Sequence, residues 1–276
     1  THISNLKRNQ IMESITALRK KMGVSYLGGT THSAKMRYSY ENGTETYCVY
    51  LAPADMSGHN VCPNSKFCKA FCLNNAGHNK ADILSRGMEN SKINISRIKK
   101  TKSFFENKEL FMELLIREIV KAQNHAQSKG MGFSVRLNGT SDLSPEDFVY
   151  LGKNILEWFP DVQFYDYTKV HTRFNLIEKY PNYDLTYSYN GYNWNACEHF
   201  LRMGGKVAVV FEKELPKTFC GYEIIDANGY DMRYLDKGGT IMGLHYHPTA
   251  NDYVNGKYVR PNSKFIVNSD DARCVF

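Results

Sequence analysis

No apolar run in this 276-residue chain approaches the roughly 18–20 residues that a membrane-spanning helix needs. The opening Thr1-His2-Ile3-Ser4-Asn5-Leu6-Lys7-Arg8 lacks the apolar stretch of a signal peptide, so a cytoplasmic protein without a membrane partner is expected. Internal repeats, low-complexity tracts and an obvious linker are missing too, which excludes solenoids and leaves one domain over residues 1–276 as the expectation. There is no Gly-x-Gly-x-x-Gly phosphate loop, which argues against a dinucleotide-binding open sheet. A second Cys-x2–4-Cys knuckle, the usual partner in structural zinc sites, is also absent. Seven cysteines cannot all pair, and without an export signal a disulfide framework is not expected.

What is present is an ordinary globular composition, 42% hydrophobic and 23% charged. The net charge of +7 favours polyanions and admits nucleic acid as a partner. Lys92, Arg97, Lys99, Lys100 and Lys102 concentrate in one stretch, but Asn94, Ser96 and Glu106 dilute it, so it reads as a solvated helix face. Ile11, Ile15, Leu18 and Met22 have helical spacing and predict an N-terminal helical extension over 9–22. A strand over 46–51 stops at Pro53, and helices are predicted over 80–100 and 104–128. The second helix carries an apolar face of Phe105, Leu110, Leu114, Ile116, Ile119 and Val120. Strands over 133–138, 162–167, 183–188 and 206–211 then alternate with helical segments near 144–158, 170–179 and 193–203, and further strands fit 221–226 and 240–245. Ser144 before Pro145-Glu146-Asp147 is a helix-start signal. Such alternation predicts an α/β fold with parallel strands, best fitted by a partial or complete parallel (β/α) barrel, with a doubly wound open sheet as the alternative.

The loop over 54–79 carries Cys62-Pro63-Asn64-Ser65-Lys66-Phe67-Cys68-Lys69-Ala70-Phe71-Cys72, a Cys-x5-Cys-x3-Cys spacing. Thiolates are soft ligands suited to iron–sulfur clusters or zinc. Three of them on a 4Fe-4S cluster leave one iron open, whereas a structural zinc would want a fourth ligand, with His59, Cys48, His78 or Cys274 as candidates. In a parallel barrel, chemistry gathers at the C-terminal strand ends. That rule selects Asn138, Ser141 and Asp142, then Tyr167, Thr168 and Lys169, then Ser188, Tyr189, Asn190, Glu212, Asp226, Asn228, His245 and His247. Among these, Asp142 and Lys169, with Arg136, are candidate catalytic residues orienting a small-molecule or nucleotide substrate. Asn138, Ser141, Tyr167 and Thr168 are candidate cofactor contacts. Arg136 inside a strand needs either an acid such as Asp166 or an anionic ligand. Asp226, Asp231, Arg233 and Asp236 read as an ion-pair network, and the nineteen tyrosines chiefly as core and rim.

A three-cysteine loop directly after the first barrel strand resembles the layout of radical S-adenosylmethionine enzymes. Their usual spacing is Cys-x3-Cys-x2-Cys with a Gly-Gly-Glu after the second strand; here Arg136-Leu137-Asn138-Gly139-Thr140-Ser141-Asp142 takes that place. The resemblance implies S-adenosylmethionine as a cofactor. Cys-Pro-x4-Cys-x3-Cys at 62–72 looks like a phage-associated family, the "gene product 88" domain. So do Arg-x5-Ser-Asp at 136–142, Phe164-Tyr165-x-Tyr167-Thr168-Lys169, and Asp226-x4-Asp231-x-Arg233-x2-Asp236. That resemblance, over most of 33–245, implies a phage or mobile-element protein working in the host cytoplasm. The expected function is an iron–sulfur enzyme doing radical or redox chemistry; a zinc-stabilised nucleic-acid-binding protein without catalysis is the alternative.

Overall fold

Helix-period segments and β-branched or aromatic runs alternate along most of the chain, and each run becomes a strand that is followed by a crossover. The structure, a computed structural model, describes residues 13–31 and 33–276. Helix α1 (Ile15–Met22) starts at Ser14, whose hydroxyl accepts from the Ala17 amide, and stops at Gly23 with φ 62°. The earlier part of the expected N-terminal helix and the opening octapeptide lie outside the described residues. Then come β1 (Gly28–Gly29), α2 (Ala34–Glu41), β2 (Thr44–Val49), α3 (Gly77–Arg86), α4 (Lys92–Glu106), α5 (Lys108–Ser128) and β3 (Gly132–Arg136). A hairpin of β4 (Val149–Tyr150) and β5 (Lys153–Asn154) precedes α6 (Ile155–Trp158), β6 (Gln163–Thr168), α7 (Asn175–Lys179), β7 (Tyr183–Ser188), α8 (Trp194–Arg202) and β8 (Lys206–Phe211). The chain ends with β9 (Thr218–Phe219), β10 (Tyr222–Asp226), β11 (Ile241–His245), β12 (Tyr253–Val254), β13 (Lys257–Tyr258), β14 (Ile266–Val267) and β15 (Cys274–Val275).

The result is a mixed α/β fold built on a largely parallel, 11-stranded sheet in the order β1-β2-β3-β6-β7-β8-β11-β10-β9-β15, with β14 also on β8. Strands β2, β3, β6, β7, β8, β11 and β10 are parallel to their neighbours in turn. Among the described residues the pairing follows an open path, and no closed barrel is detected. Repeating β/α units would also keep strands in chain order, yet β11 lies between β8 and β10. Gly243 lets β10 approach: a Cβ there would stand 2.7 Å from Ile224 and 3.0 Å from Leu215.

The two faces of the sheet differ in chemistry because side chains alternate. One face presents Val49, Val135, Leu137, Phe164, Leu185, Val207 and Val209 to Phe111, Leu115 and Ile119 of α5 and Phe200 of α8, all in one apolar cluster. Each such fully buried side chain contributes about 1.5–3 kcal/mol. The other face carries Thr46, Cys48, Ser134, Arg136, Tyr165, Tyr167 and Lys206, and residues 227–236 lie across it. Tyr165 and Tyr234 have ring centroids 5.5 Å apart, Tyr167 donates to Asp231 at 3.1 Å, and Lys206 donates to the Arg233 carbonyl at 2.6 Å.

Two expected helices differ from the observed chain. The segment over 80–100 is two helices, because Gly87 at φ 83° ends α3 and Ser91 caps α4. The segment over 144–158 is mostly not helical. Ser144-Pro145 opens a single 3-10 turn, Leu151 and Gly152 at φ 48° and 76° reverse the chain, and Asn154 then starts a four-residue helix through a capping box.

Candidate functional site

After β2 the chain crosses the C-terminal strand ends in a series of turns. The Asp142 amide donates to the Val61 carbonyl (2.8 Å), Asn64 donates to the Lys169 carbonyl (2.8 Å) and Asn251 donates to the Ala70 carbonyl (2.7 Å). These bonds fasten the cysteine loop to the β3 and β6 ends and to the turn after β11. Cys68 precedes the 3-10 turn Lys69–Phe71, and Cys72 precedes Leu73–Asn75. All seven cysteines are free thiols. Cys62 Sγ accepts from the Ala54 amide at 3.4 Å, and its pKa is pushed up to about 12 by burial, with Cys72, Asp142 and Cys68 adding to the rise. Burial also raises the Cys72 thiol, while the Asn74 amide, Lys169 and Arg97 pull it back. The Cys72 rise includes a contribution from Cys68, as the Cys62 rise does. Among the described residues, no three His, Cys, Asp or Glu side chains are grouped tightly enough to hold a metal ion as they stand.

The anticipated fourth ligands are elsewhere. His59 stacks on Phe105 (4.4 Å) and lies 3.7 Å from Glu106; His78 is exposed on α3. Cys274 sits in β15 at the far edge of the sheet, and Cys48 is buried within β2.

Behind Cys72 lies a buried amide network that the sequence reading missed. Asn74 donates to Asn94 at 3.0 Å, Asn79 donates to Asn94 at 2.9 Å, and Ser91 donates to Asn79 at 2.6 Å. Arg97 donates to the Asn74 side chain and lies 5.0 Å from the Tyr50 ring centre. Gly139 makes room for that ring, since a Cβ there would stand 2.6 Å from it. The supposed solvated face is therefore not wholly solvated. Arg97 turns inward, and Lys100 is 3% exposed with its ammonium 4.1 Å from the Tyr26 ring centre. The signal was the density of asparagines, since an amide with several partners is inexpensive to bury whereas an isolated one is not.

The strand-end candidates fall into two groups. On the helix-packed face, Asp142 accepts from Thr168 (2.6 Å), Arg173 (2.6 Å) and the Lys169 amide (2.8 Å). Asn138 donates to Asp166 (2.9 Å) and accepts from Ser141 (2.8 Å) and the Leu143 amide (2.9 Å). Burial lifts the Asp166 carboxyl to about 6 despite Arg173 and Asn138. On the opposite face Arg136 pairs with Asp231 and lies 4.8 Å from the Tyr167 ring centre. Arg136 thus faces away from Asp166, because 136 and 166 alternate to opposite sides of the sheet. The Lys169 ammonium lies 5.6 Å from the Phe265 ring centre, and its charge lowers the Cys72 pKa. Of the expected ion-pair network, Arg233 and Asp236 pair at 3.1 Å, Asp231 pairs instead with Arg136 and Lys35, and Asp226 accepts from Asn228.

Further cations gather at the same end of the sheet. Lys35 of α2 donates to the Ala227 carbonyl at 2.8 Å and is 4.0 Å from Asp231. His247 is held below its usual pKa by burial first, then by Lys35, His245 and Lys80. Glu212 is taken by Arg260, and Asn190 caps its own turn through the Tyr192 and Asn193 amides. No helix among the described residues is long and apolar enough to cross a membrane.

A family model described as Gene product 88 matches residues 18–256 of the chain. No curated protein and no solved structure matches it. The match covers well over half the chain, so the chain belongs to the Gene product 88 family.

Proposed function

We propose that this Gene product 88 protein is an iron–sulfur enzyme of phage or mobile-element origin whose cluster is held by Cys62, Cys68 and Cys72. The observation that carries the reading is the arrival of three thiols on one loop that the Asp142 amide and Asn64 fasten to the C-terminal ends of the parallel strands β3 and β6. An amide donates to Cys62 and another favours the Cys72 thiolate, while Lys169 and Arg97 offset the negative charge that bound thiolates would bring. Thiolates on one zinc ion, each about 2.3 Å from the metal, would crowd within ~4 Å of one another. On a four-iron cluster each thiolate holds a different iron, and three protein thiolates suffice without a fourth ligand.

We read the sheet as a partial (β/α) barrel of radical-S-adenosylmethionine type, with residues 227–236 filling its concave face. When bound, the cluster supplies one-electron transfer and one iron free to take an outside ligand, S-adenosylmethionine being the ligand the layout suggests. Lys169, whose charge acts on Cys72, orients the substrate. Asp142 positions Lys169 and Thr168, and Arg136 and Tyr167 hold the covering segment through Asp231. Asn138 and Ser141 shape the turn that Cys62 rests on, Cys62 Sγ being 3.9 Å from the Thr140 carbonyl.

Anaerobically purified protein should be brown, absorb near about 400 nm and contain iron and sulfide. Cys62→Ala, Cys68→Ala and Cys72→Ala should each lose most of the iron, while Cys197→Ala and Cys220→Ala keep it. Colourless protein with stoichiometric zinc would overturn the reading in favour of a zinc-stabilised nucleic-acid-binding protein. Reduced protein mixed with S-adenosylmethionine should release 5′-deoxyadenosine. Iron without that product would remove the cofactor and keep the cluster.

A further inference from the structure

The site at the strand ends leaves part of the basic stretch of α4 unused. Arg97 and Lys100 turn inward, but Lys99 and Lys102 stay exposed, three residues apart on one side of the helix. They form one wall of a cleft of about 320 Å³. Its other walls come from the last turn of α1, with Lys21 and Met22, and from the start of α5, with Asn107 and Leu110. Lys21 is paired with Glu13, whereas among the described residues neither Lys99 nor Lys102 pairs with a carboxylate. Glu106 is the one acid in the wall, and His59 stands 3.7 Å from it. Two further features of the cleft ask for a hydrogen-bond acceptor. Ser103 lines it and is 6% exposed, yet its hydroxyl has no partner among the described residues, not even a carbonyl of the preceding turn. The 21-residue α5 also begins there, and Asn107 at its N-cap makes no side-chain bond to the first turn. The opening amides of that helix therefore present uncapped donors and the positive end of its dipole.

We infer that this cleft between α1, α4 and α5 binds the phosphate group of a small phosphorylated molecule, with Lys99, Lys102 and Ser103 as its contacts beside the α5 N-terminus. A carboxylate offers two oxygens in one plane. A phosphate monoester offers three acceptor oxygens and up to two charges, which suits two ammonium groups, a hydroxyl and a helix N-terminus together. The cleft exceeds the room that the anion alone needs and reaches the lower end of ligand pockets, roughly 300–1,000 Å³. Met22 and Leu110, both half-buried, give the rest of the molecule an apolar surface. The inference goes beyond the iron–sulfur reading and does not depend on it, since no residue of the cleft wall lies on the cysteine loop.

The test is calorimetry on the full chain with inorganic phosphate, ribose 5-phosphate and ribose as probes. Both phosphates should bind at one site, ribose 5-phosphate the more tightly, and ribose should not bind. Lys99→Gln and Lys102→Gln should each weaken ribose 5-phosphate about fivefold or more, and Lys237→Gln, whose partner is the exposed Glu223, should not. Ser103→Ala alters no charge, so a loss of about threefold or more in that variant separates a built site from general attraction to lysines. Glu106→Gln removes the one acid of the wall and should tighten binding. Thermal melting confirms that the variants fold, and the exposed lysines carry the test if Ser103→Ala does not. Failure of both phosphates to bind, equal binding of ribose, or lysine variants that bind as the parent would overturn the proposal. So would a Ser103→Ala variant that folds and binds as the parent, or tight binding of a single-stranded oligonucleotide without binding of either small phosphate.

Discussion

Asp142 and Asp166 lie on one face of the sheet and share Arg173, yet their situations differ. Asp142 accepts three short bonds, while Asp166 is 1% exposed, with Arg173 4.0 Å away. Its carboxyl titrates near 6 in the folded protein, whereas an unfolded aspartate titrates near ~3.9. Between about pH 4 and pH 6 the folded state therefore keeps a proton that the unfolded state has released, and stability falls as pH rises through that window. The loss from this group is on the order of 2–3 kcal/mol and is complete above the folded pKa. Asp166→Asn abolishes the titration, so the stability difference between parent and variant should drop by about that amount from pH 4 to pH 7 in urea unfolding. Parallel profiles would show that Asp166 does not titrate there. The thiols and Asp142 could be nominated from spacing and strand position. The partners of Arg136 and Asp166 could not, because a pairing of Arg136 with Asp231 depends on residues 227–236 folding back over the sheet.

At the scale of elements, the corner between α3 and α4 connects sequence to site most directly. Gly87 and Ser91 make the corner, and Asn94, wholly buried, joins Asn74 and Asn79 and donates to the Met88 carbonyl at 2.9 Å. Through Asn74 the network reaches both the Cys72 sulfur and the Arg97 guanidinium. Asn94→Leu keeps the branched shape but takes from the Asn74 and Asn79 amides one of their two acceptors each, at a cost of about 1–3 kcal/mol each. Stability to urea should fall accordingly, and iron retention should fall with it although no thiol is altered. Full iron loading in a clearly destabilised Asn94→Leu would separate the network from the site. The strands β7 and β8 match their sequence expectations residue for residue, since hydrophobic and β-branched runs there are bounded by turns. The β4–β5 hairpin was not legible. Leu151 adopts a left-handed backbone that its side chain disfavours, so the reversal depends on Gly152 and on Trp158 donating to the Tyr150 carbonyl at 2.9 Å. The exchange of β10 and β11 was equally hidden, because local pattern carries direction and length but not neighbour order.

Over the whole molecule, stability and function occupy different layers. The apolar cluster between the sheet and its helices runs from Leu18 to Val267 and owes little to the cysteine loop, from which it takes Val61 and the edge of Cys62. The loop itself has no strand and only two single 3-10 turns between β2 and α3. It is fastened to the strand ends by isolated bonds from Asn64, Asn251 and the Asp142 amide. Segments of that kind open at low free-energy cost without global unfolding. A cluster bound by Cys62, Cys68 and Cys72 would bind the closed loop and not the open one, stabilising closure by mass action. Lys66 and Lys69 are exposed within it and give trypsin two sites. Chelating the metal under reducing conditions should therefore raise tryptic cleavage after Lys66 and Lys69 by roughly tenfold or more, the change that each ~1.4 kcal/mol of lost closure free energy would bring. Far-ultraviolet circular dichroism, dominated by the helices and the sheet, should hardly change. Cleavage spread evenly over the chain would mean that the metal supports the core, and unchanged cleavage would mean that it does not bind the loop.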